Sequence, residues 1–234
     1  MSTGRSSIPP AGAEMLRDEL SAIAKPVLAA VLEHPFWDGL RKGTLPADSL
    51  WYFAEQDARY AVPAYARALA RTAAIADQDA HSALMSGAAS VTLDAVGRMD
   101  GELAALAAEL GRTVRTVAVS PATHAHTCFM LAAPAVSFGA AFGGLLPMTW
   151  FHQAVSRDLR ERCVPGSRYE AWIDQYCPES GFHDYVEAYL SMIDEFGEQC
   201  SPTDRATLAE HFLFGARHEL AFADSAFRLQ AWSV

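Results

Sequence analysis

No unbroken run of about 20 apolar residues, the length a bilayer crossing requires, occurs in this 234-residue chain. The longest apolar region, 128–151, is interrupted by Pro134, Gly139, Gly143, Gly144 and Pro147, so no membrane role is expected. Runs of Lys or Arg are also missing, and 18 basic against 28 acidic residues leave 18 − 28 = −10 charges. A nucleic-acid surface is therefore not expected. The four cysteines, Cys128, Cys163, Cys177 and Cys200, form no CxxC pair, in keeping with reduced thiols in a cytoplasmic protein. Neither alternating strands nor a repeat nor a low-complexity tract is present. The N-terminal MSTGRSSIPPAGAEM has no apolar core of signal-peptide length and reads as a polar arm over 1–14.

What the chain does have is apolar content, 51%, in helical rhythm. Leu16, Leu20, Ile23, Val27 and Val31 recur at three- and four-residue steps, which predicts an amphipathic helix over 15–33. HPF and then RKGTLPADS read as a turn. A helix from about 48 into the seventies follows, with Pro63 expected to kink or break it near Tyr60. Further helices are expected over about 78–110, after the Ser120 cap with Pro121 at the first position, and from TWFHQ onwards. FGAAFGGLLP between the last two reads as an interruption, although its glycines equally permit close helix contact. Helices over about 168–175, 180–199 and 202–230 complete one all-α domain over 15–234.

Three groups of residues bear chemistry. Asp57 and Tyr60 share a helix face. They form either a solvated edge, which helix geometry alone favours, or an acceptor–donor pair facing a ligand. Glu219 lies among Phe212, Phe214, Leu220, Phe222 and Phe227. Turned inward it would be desolvated and hold a proton at neutral pH; turned outward it would sit in solvent beside Arg217 and His218. His124 and His126 are two apart, roughly 200° around a helix, so they cannot both face one site. Eight histidines raise a metal hypothesis. No Glu-x-x-His pair, the di-iron bundle signature, occurs, and no metal or other cofactor is expected. Cys128 and Cys177 read as small thiols without an adjacent base.

The block HPFWDGLRKGTLPADSLWYFAEQDARY resembles the TenA family, also called thiaminase II or aminopyrimidine aminohydrolase. Its elements are His34-Pro35-Phe36, Gly43-Thr44-Leu45 and Gln56-Asp57-Ala58-Arg59-Tyr60. SPATHAHT, LLPMTWFH, YEAWIDQY and the terminal helix with Glu219 and Phe222 follow in the same order. The resemblance implies a haem-oxygenase-like all-α bundle without haem, assembled as a homotetramer or dimer. It also implies hydrolysis of thiamin or of the amino group of an aminomethylpyrimidine. It assigns pyrimidine recognition to Asp57, support of the site to Tyr60 and Tyr176, protonation of a ring nitrogen to Glu219, and a packing wall to Phe222.

Three positions depart from the family pattern. Met148 stands where the typical nucleophilic cysteine follows the proline of LLP, and a thioether cannot become a thiolate. His126 and His152 replace two tyrosines. The expected activity is C–N hydrolysis of a small aminopyrimidine by a route without cysteine, with His126 or His152 carrying protons near neutral pH. Two alternatives stand beside it: a ligand-binding protein without turnover, and a metal-dependent oxygenase recruiting His126, His152 and His218.

Overall fold

A computed structural model of the chain describes residues 15–114, 117–178 and 180–233. The expected arm, 1–14, lies outside the described residues. Ten α-helices form among the described residues: α1 (Leu16–Leu32), α2 (Pro35–Lys42), α3 (Ala47–Gln56), α4 (Val62–Ala74), α5 (Asp79–Glu109), α6 (Pro121–Val136), α7 (Phe138–Arg162), α8 (Glu170–Tyr176), α9 (Ser180–Gln199) and α10 (Pro202–Arg228). A single π-helical turn, Asp57–Ala61, joins α3 to α4. The helices share one core, in which Phe36, Leu50, Leu69, Phe142, Tyr189 and Phe212 are fully buried.

The segment expected as a turn after His34 is helical instead. His34 caps α2, its Nδ1 accepting the Phe36 N–H at 3.2 Å, with Pro35 at the first position. Gly43 ends α2 at φ 70°, and a Cβ there would meet Ser167 Oγ at 2.9 Å. Arg41, 3% exposed, donates to Asp158 on α7 and to the Leu32 carbonyl. The HPF…GTL block is therefore a scaffold that locks α2 between α1 and α7. Eight residues with a cap at each end are too short for periodicity to reveal.

FGAAFGGLLP does not interrupt a helix. The break falls earlier, at Ser137, whose side chain caps α7, and α7 then runs unbroken through all three glycines and Pro147. The glycines let α10 approach instead. Gly139 lies against the Asp204 carbonyl, Gly143 against Leu208 and Pro147 against Gly215, so α7 and α10 run parallel in close register. A Cβ at Gly143 would stand 2.4 Å from the Leu208 carbonyl oxygen, a backbone atom of a buried helix that cannot give way cheaply. Gly143→Ala should therefore lower Tm by about 5–10 °C, from an overpacking cost of about 2–3 kcal/mol, read by thermal unfolding. An unchanged Tm would mean that the two helices slide freely.

Candidate active site

Pro63 sits two residues into α4 with no N–H to donate backward. The chain meets this with a widened turn rather than a kink. The Val62 N–H bonds the Asp57 carbonyl five residues back, and Asp57 begins the π segment. Around Asp57 the pocket wall is built by Phe53 and Ala58, by Leu103 and Leu106 of α5, and by Trp172 and Tyr176 of α8. Asp57 keeps part of its surface open, but to this cleft and not to bulk solvent. Burial pushes its carboxyl up to about 7.

Glu219 does not line this cleft. Its Oε1 is sealed from solvent without a hydrogen-bond partner, and its side chain is 20% exposed. Burial, and then the neighbouring Asp57 charge, push this carboxyl up to about 8. The same two carboxylates, after burial, hold the Tyr176 phenol well above its ordinary value. No Lys or Arg forms an ion pair with Asp57 or Glu219 among the described residues. Two carboxyl groups in mutual electrostatic reach, without a cation, take up protons one after the other.

The other expected residues fall into distinct places. Tyr176 lines the cleft and stacks on Trp172 at 4.8 Å and 15°, whereas Phe222 does not line it and packs on Phe53 at 5.1 Å. The Tyr60 hydroxyl donates to the Val117 carbonyl, and Gln56 binds both the Ala118 carbonyl and the Ser120 N–H. Tyr60 and Gln56 thus anchor the segment entering α6, and the Tyr60 hydroxyl is already engaged. His152 packs on Tyr176 at 4.6 Å, and its Nε2 donates to the Tyr176 carbonyl at 3.1 Å. That bond fixes the end of α8, while burial lowers the His152 pKa.

His126 is 3% exposed, with Nε2 3.6 Å from Glu219 Oε1. Burial, and then the nearby His218, lower its pKa to about 3, so it is a neutral imidazole at neutral pH. His126, His152 and His218 do not converge as ligands: the first and third are stacked face to face, and the second is committed to a carbonyl. Among the described residues no group of three or more His, Cys, Asp or Glu side chains is placed to hold a metal. Met148 is half-buried against the core and does not line the cleft. Of the two thiols weighed from the sequence, Cys128 is exposed and, contrary to expectation, has a base beside it, His124 Nε2 at 3.6 Å from its Sγ. Cys177 Sγ donates to the Ser156 carbonyl at 3.4 Å, and burial raises its pKa, leaving a thiol.

Sequence reasoning missed Phe53, Trp172, the α5 wall and the paired Tyr65 and Tyr185 hydroxyls, 3.3 Å apart. Trp172 carried a signal, one turn before Tyr176 on the same helix. Tyr65 and Tyr185 come from α4 and α9, and no local spacing links them.

The model of the TENA/THI-4/PQQC family matches residues 22–229. A Bacillus subtilis protein named aminopyrimidine aminohydrolase is 29% identical over 202 residues, 86% of this chain and 84% of that protein. One of the same name from Halalkalibacterium halodurans is 28% identical over 221 residues, 90% and 94% of the two chains. Among solved structures, a TenA homologue from P. horikoshii superposes with a TM-score of 0.76 at 24% identity, covering 92% of this chain and 99% of that one.

Proposed function

The chain belongs to the TENA/THI-4/PQQC family, and from that premise we propose that it hydrolyses a C–N bond of an aminopyrimidine, with water in place of a thiolate as nucleophile. The substrate class is an aminomethylpyrimidine of the thiamin-salvage type, a reading supported by the Bacillus relative's name, aminopyrimidine aminohydrolase. The observation that carries this reading is the Asp57–Glu219 pair, two carboxyls raised to about 7 and about 8 beside an aromatic-lined cleft.

The chemistry follows from those values. An aminopyrimidine edge offers an amino N–H and a ring nitrogen side by side, and a carboxyl near 7 meets both through one shared proton. Glu219, still protonated at neutral pH, supplies a proton to a second ring nitrogen. The protonated ring becomes an electron sink, which eases attack by water and departure of the amine. Phe53 and Tyr176 provide flat walls for the heterocycle. The proposed assembly is a homotetramer or dimer in the cytoplasm. Val91, 68% exposed on α5, is an apolar side chain that such an assembly would cover.

Purified protein given aminomethylpyrimidine or thiamin should release ammonia or the thiazole fragment. Absence of both, beside an active relative as control, removes this reading. The loss of a thiol at Met148 favours a second one, in which the cleft binds the pyrimidine without turnover. Calorimetry showing binding that Asp57→Ala abolishes, with no product, selects it.

The pair also dictates a pH profile. Below about 7 both carboxyls hold protons and the carboxylate is lost; above about 8 both are ionised and the acid is lost. The singly protonated pair, whose values belong to the pair jointly, peaks between these limits. kcat/KM should form a narrow bell between pH 7 and 8, falling about tenfold per unit at the outer edges. A flat profile from about pH 6 to 9 contradicts the assignment of roles.

A further inference from the structure

His218 is absent from the cleft wall, and the chemistry above gives it no part. Yet its ring lies flat on His126, with centroids 5.2 Å apart and planes at 6°. Its other neighbour is Phe129, at 5.0 Å and 35°. The half-buried His218 is thus wedged between two rings of α6, one of which faces Glu219.

We propose that His218 is a positioning residue for Glu219: stacked on His126, it fixes that imidazole with Nε2 facing Glu219 Oε1, so that the acid proton is carried on Oε2. This rests on the reading of Glu219 as the acid. The argument begins with what lies unpartnered. His126 Nδ1 and Glu219 Oε1 are both sealed and without hydrogen bonds. A neutral imidazole has one N–H to place. On Nδ1 it would be a buried donor with no acceptor, whereas on Nε2 it points at Oε1, 3.6 Å away, a gap that closes with a small shift on ligand binding. With Oε1 accepting from His126, the carboxylic proton must reside on Oε2, the oxygen left to meet a ligand. The His126 ring makes no side-chain hydrogen bond that would hold it in this orientation, and the stack supplies that restraint.

Charge points the same way. Two stacked imidazoles do not both carry protons, so His218 helps keep His126 neutral. The titratable groups that face this cluster are Asp57 from the π turn, Tyr65 from α4, Tyr176 from α8, Tyr185 from α9 through Tyr65, and His211 of α10 across Phe129. Asp57, Tyr65, Tyr176 and Tyr185 carry no positive charge in either protonation state, and His211 packs on Phe129 and not on His126.

The test compares His218→Phe, which keeps a flat ring, with His218→Ala, which removes it. His218→Ala should lower kcat about tenfold with KM within about twofold, and His218→Phe should restore kcat to within about twofold of the parent. A donor to Oε1 favours the ionised carboxyl. Its loss in His218→Ala should therefore move the alkaline limb up by about half a pH unit, and His218→Phe should leave that limb in place. Nitrogen NMR of the imidazoles in the unliganded protein should report His126 as the Nε2–H tautomer in the parent and His218→Phe, and as a mixture in His218→Ala. Equal damage in both variants, an unmoved limb in His218→Ala, or an Nδ1–H tautomer in the parent overturns the proposal. Because the tautomer is read without substrate, a protein inactive on aminopyrimidines would fail the proposed function and still decide this one.

Discussion

Asp57→Asn should reduce kcat/KM on an aminomethylpyrimidine on the order of 10³-fold, with most of the loss in kcat. The amide is the informative replacement because it keeps the shape and the two-bond edge. Its NH2 can donate to the ring nitrogen and its carbonyl can accept from the amino group, so binding should survive with KM changed by about threefold at most. What the amide cannot do is carry the negative charge that balances a protonated ring. If Asp57 only held the substrate, Asp57→Asn would be nearly silent; if it balances charge, the loss appears in turnover. Asp57→Ala, which removes both bonds, should raise KM as well.

The same substitution should stabilise the protein, and the sign can be worked from the pKa. Asp57 is raised from 3.8 to about 7 by burial, so the folded state holds its proton more tightly than the unfolded chain. Its favourable contribution is complete below 3.8 and is lost as pH rises through about 7. At pH 8 the parent carries a buried carboxylate without a cation, and Asp57→Asn removes it. Tm should rise by about 5 °C at pH 8 and by roughly a third to a half of that at pH 5, the signature of a site held in strain for its chemistry. A Tm that falls at both pH values would mean that Asp57 makes structural contacts worth more than its desolvation.

How much of this was legible depended on whether the controlling forces are local. The long helices were readable because side chains three and four apart repeat through Leu16, Leu20 and Ile23. Ser120–Pro121 marked the α6 start because a cap is a local chemical event. The α2 helix was not readable, since its stability comes from His34, Gly43 and the Arg41–Asp158 pair across 117 residues. Nor could FGAAFGGLLP be resolved: glycine breaks an isolated helix yet permits a second one to approach, and only α10 decides which. At the site, helix geometry favoured a solvated edge for Asp57, and the cleft that α5 and α8 close over it reverses that. No sequence rule brings Leu103 and Trp172 to the same carboxylate. The stack of His126 on His218 joins α6 to α10 and was equally invisible, though both residues had been noticed for other reasons.

Glu219→Gln separates two ways an acid could serve this reaction. An aminomethylpyrimidine must lose ammonia, a leaving group that needs a proton, whereas thiamin loses a neutral thiazole from a cation and needs none. If Glu219 protonated the leaving amine, Glu219→Gln would impair the first substrate and spare the second. If it protonates the ring nitrogen common to both, the two substrates suffer alike. Its electrostatic coupling to Asp57, the carboxyl assigned to the ring edge, favours the ring. The expected result is therefore a fall in kcat of about 10²–10³-fold on both substrates, equal within about threefold, with KM little changed. The alkaline limb should vanish with it, since Gln does not titrate, while the acid limb near 7 set by Asp57 should stay in place, because burial raises it and Glu219 is already uncharged where Asp57 titrates. Retention of thiamin cleavage in Glu219→Gln would relocate the acid to the leaving group and leave ring activation to Asp57 alone.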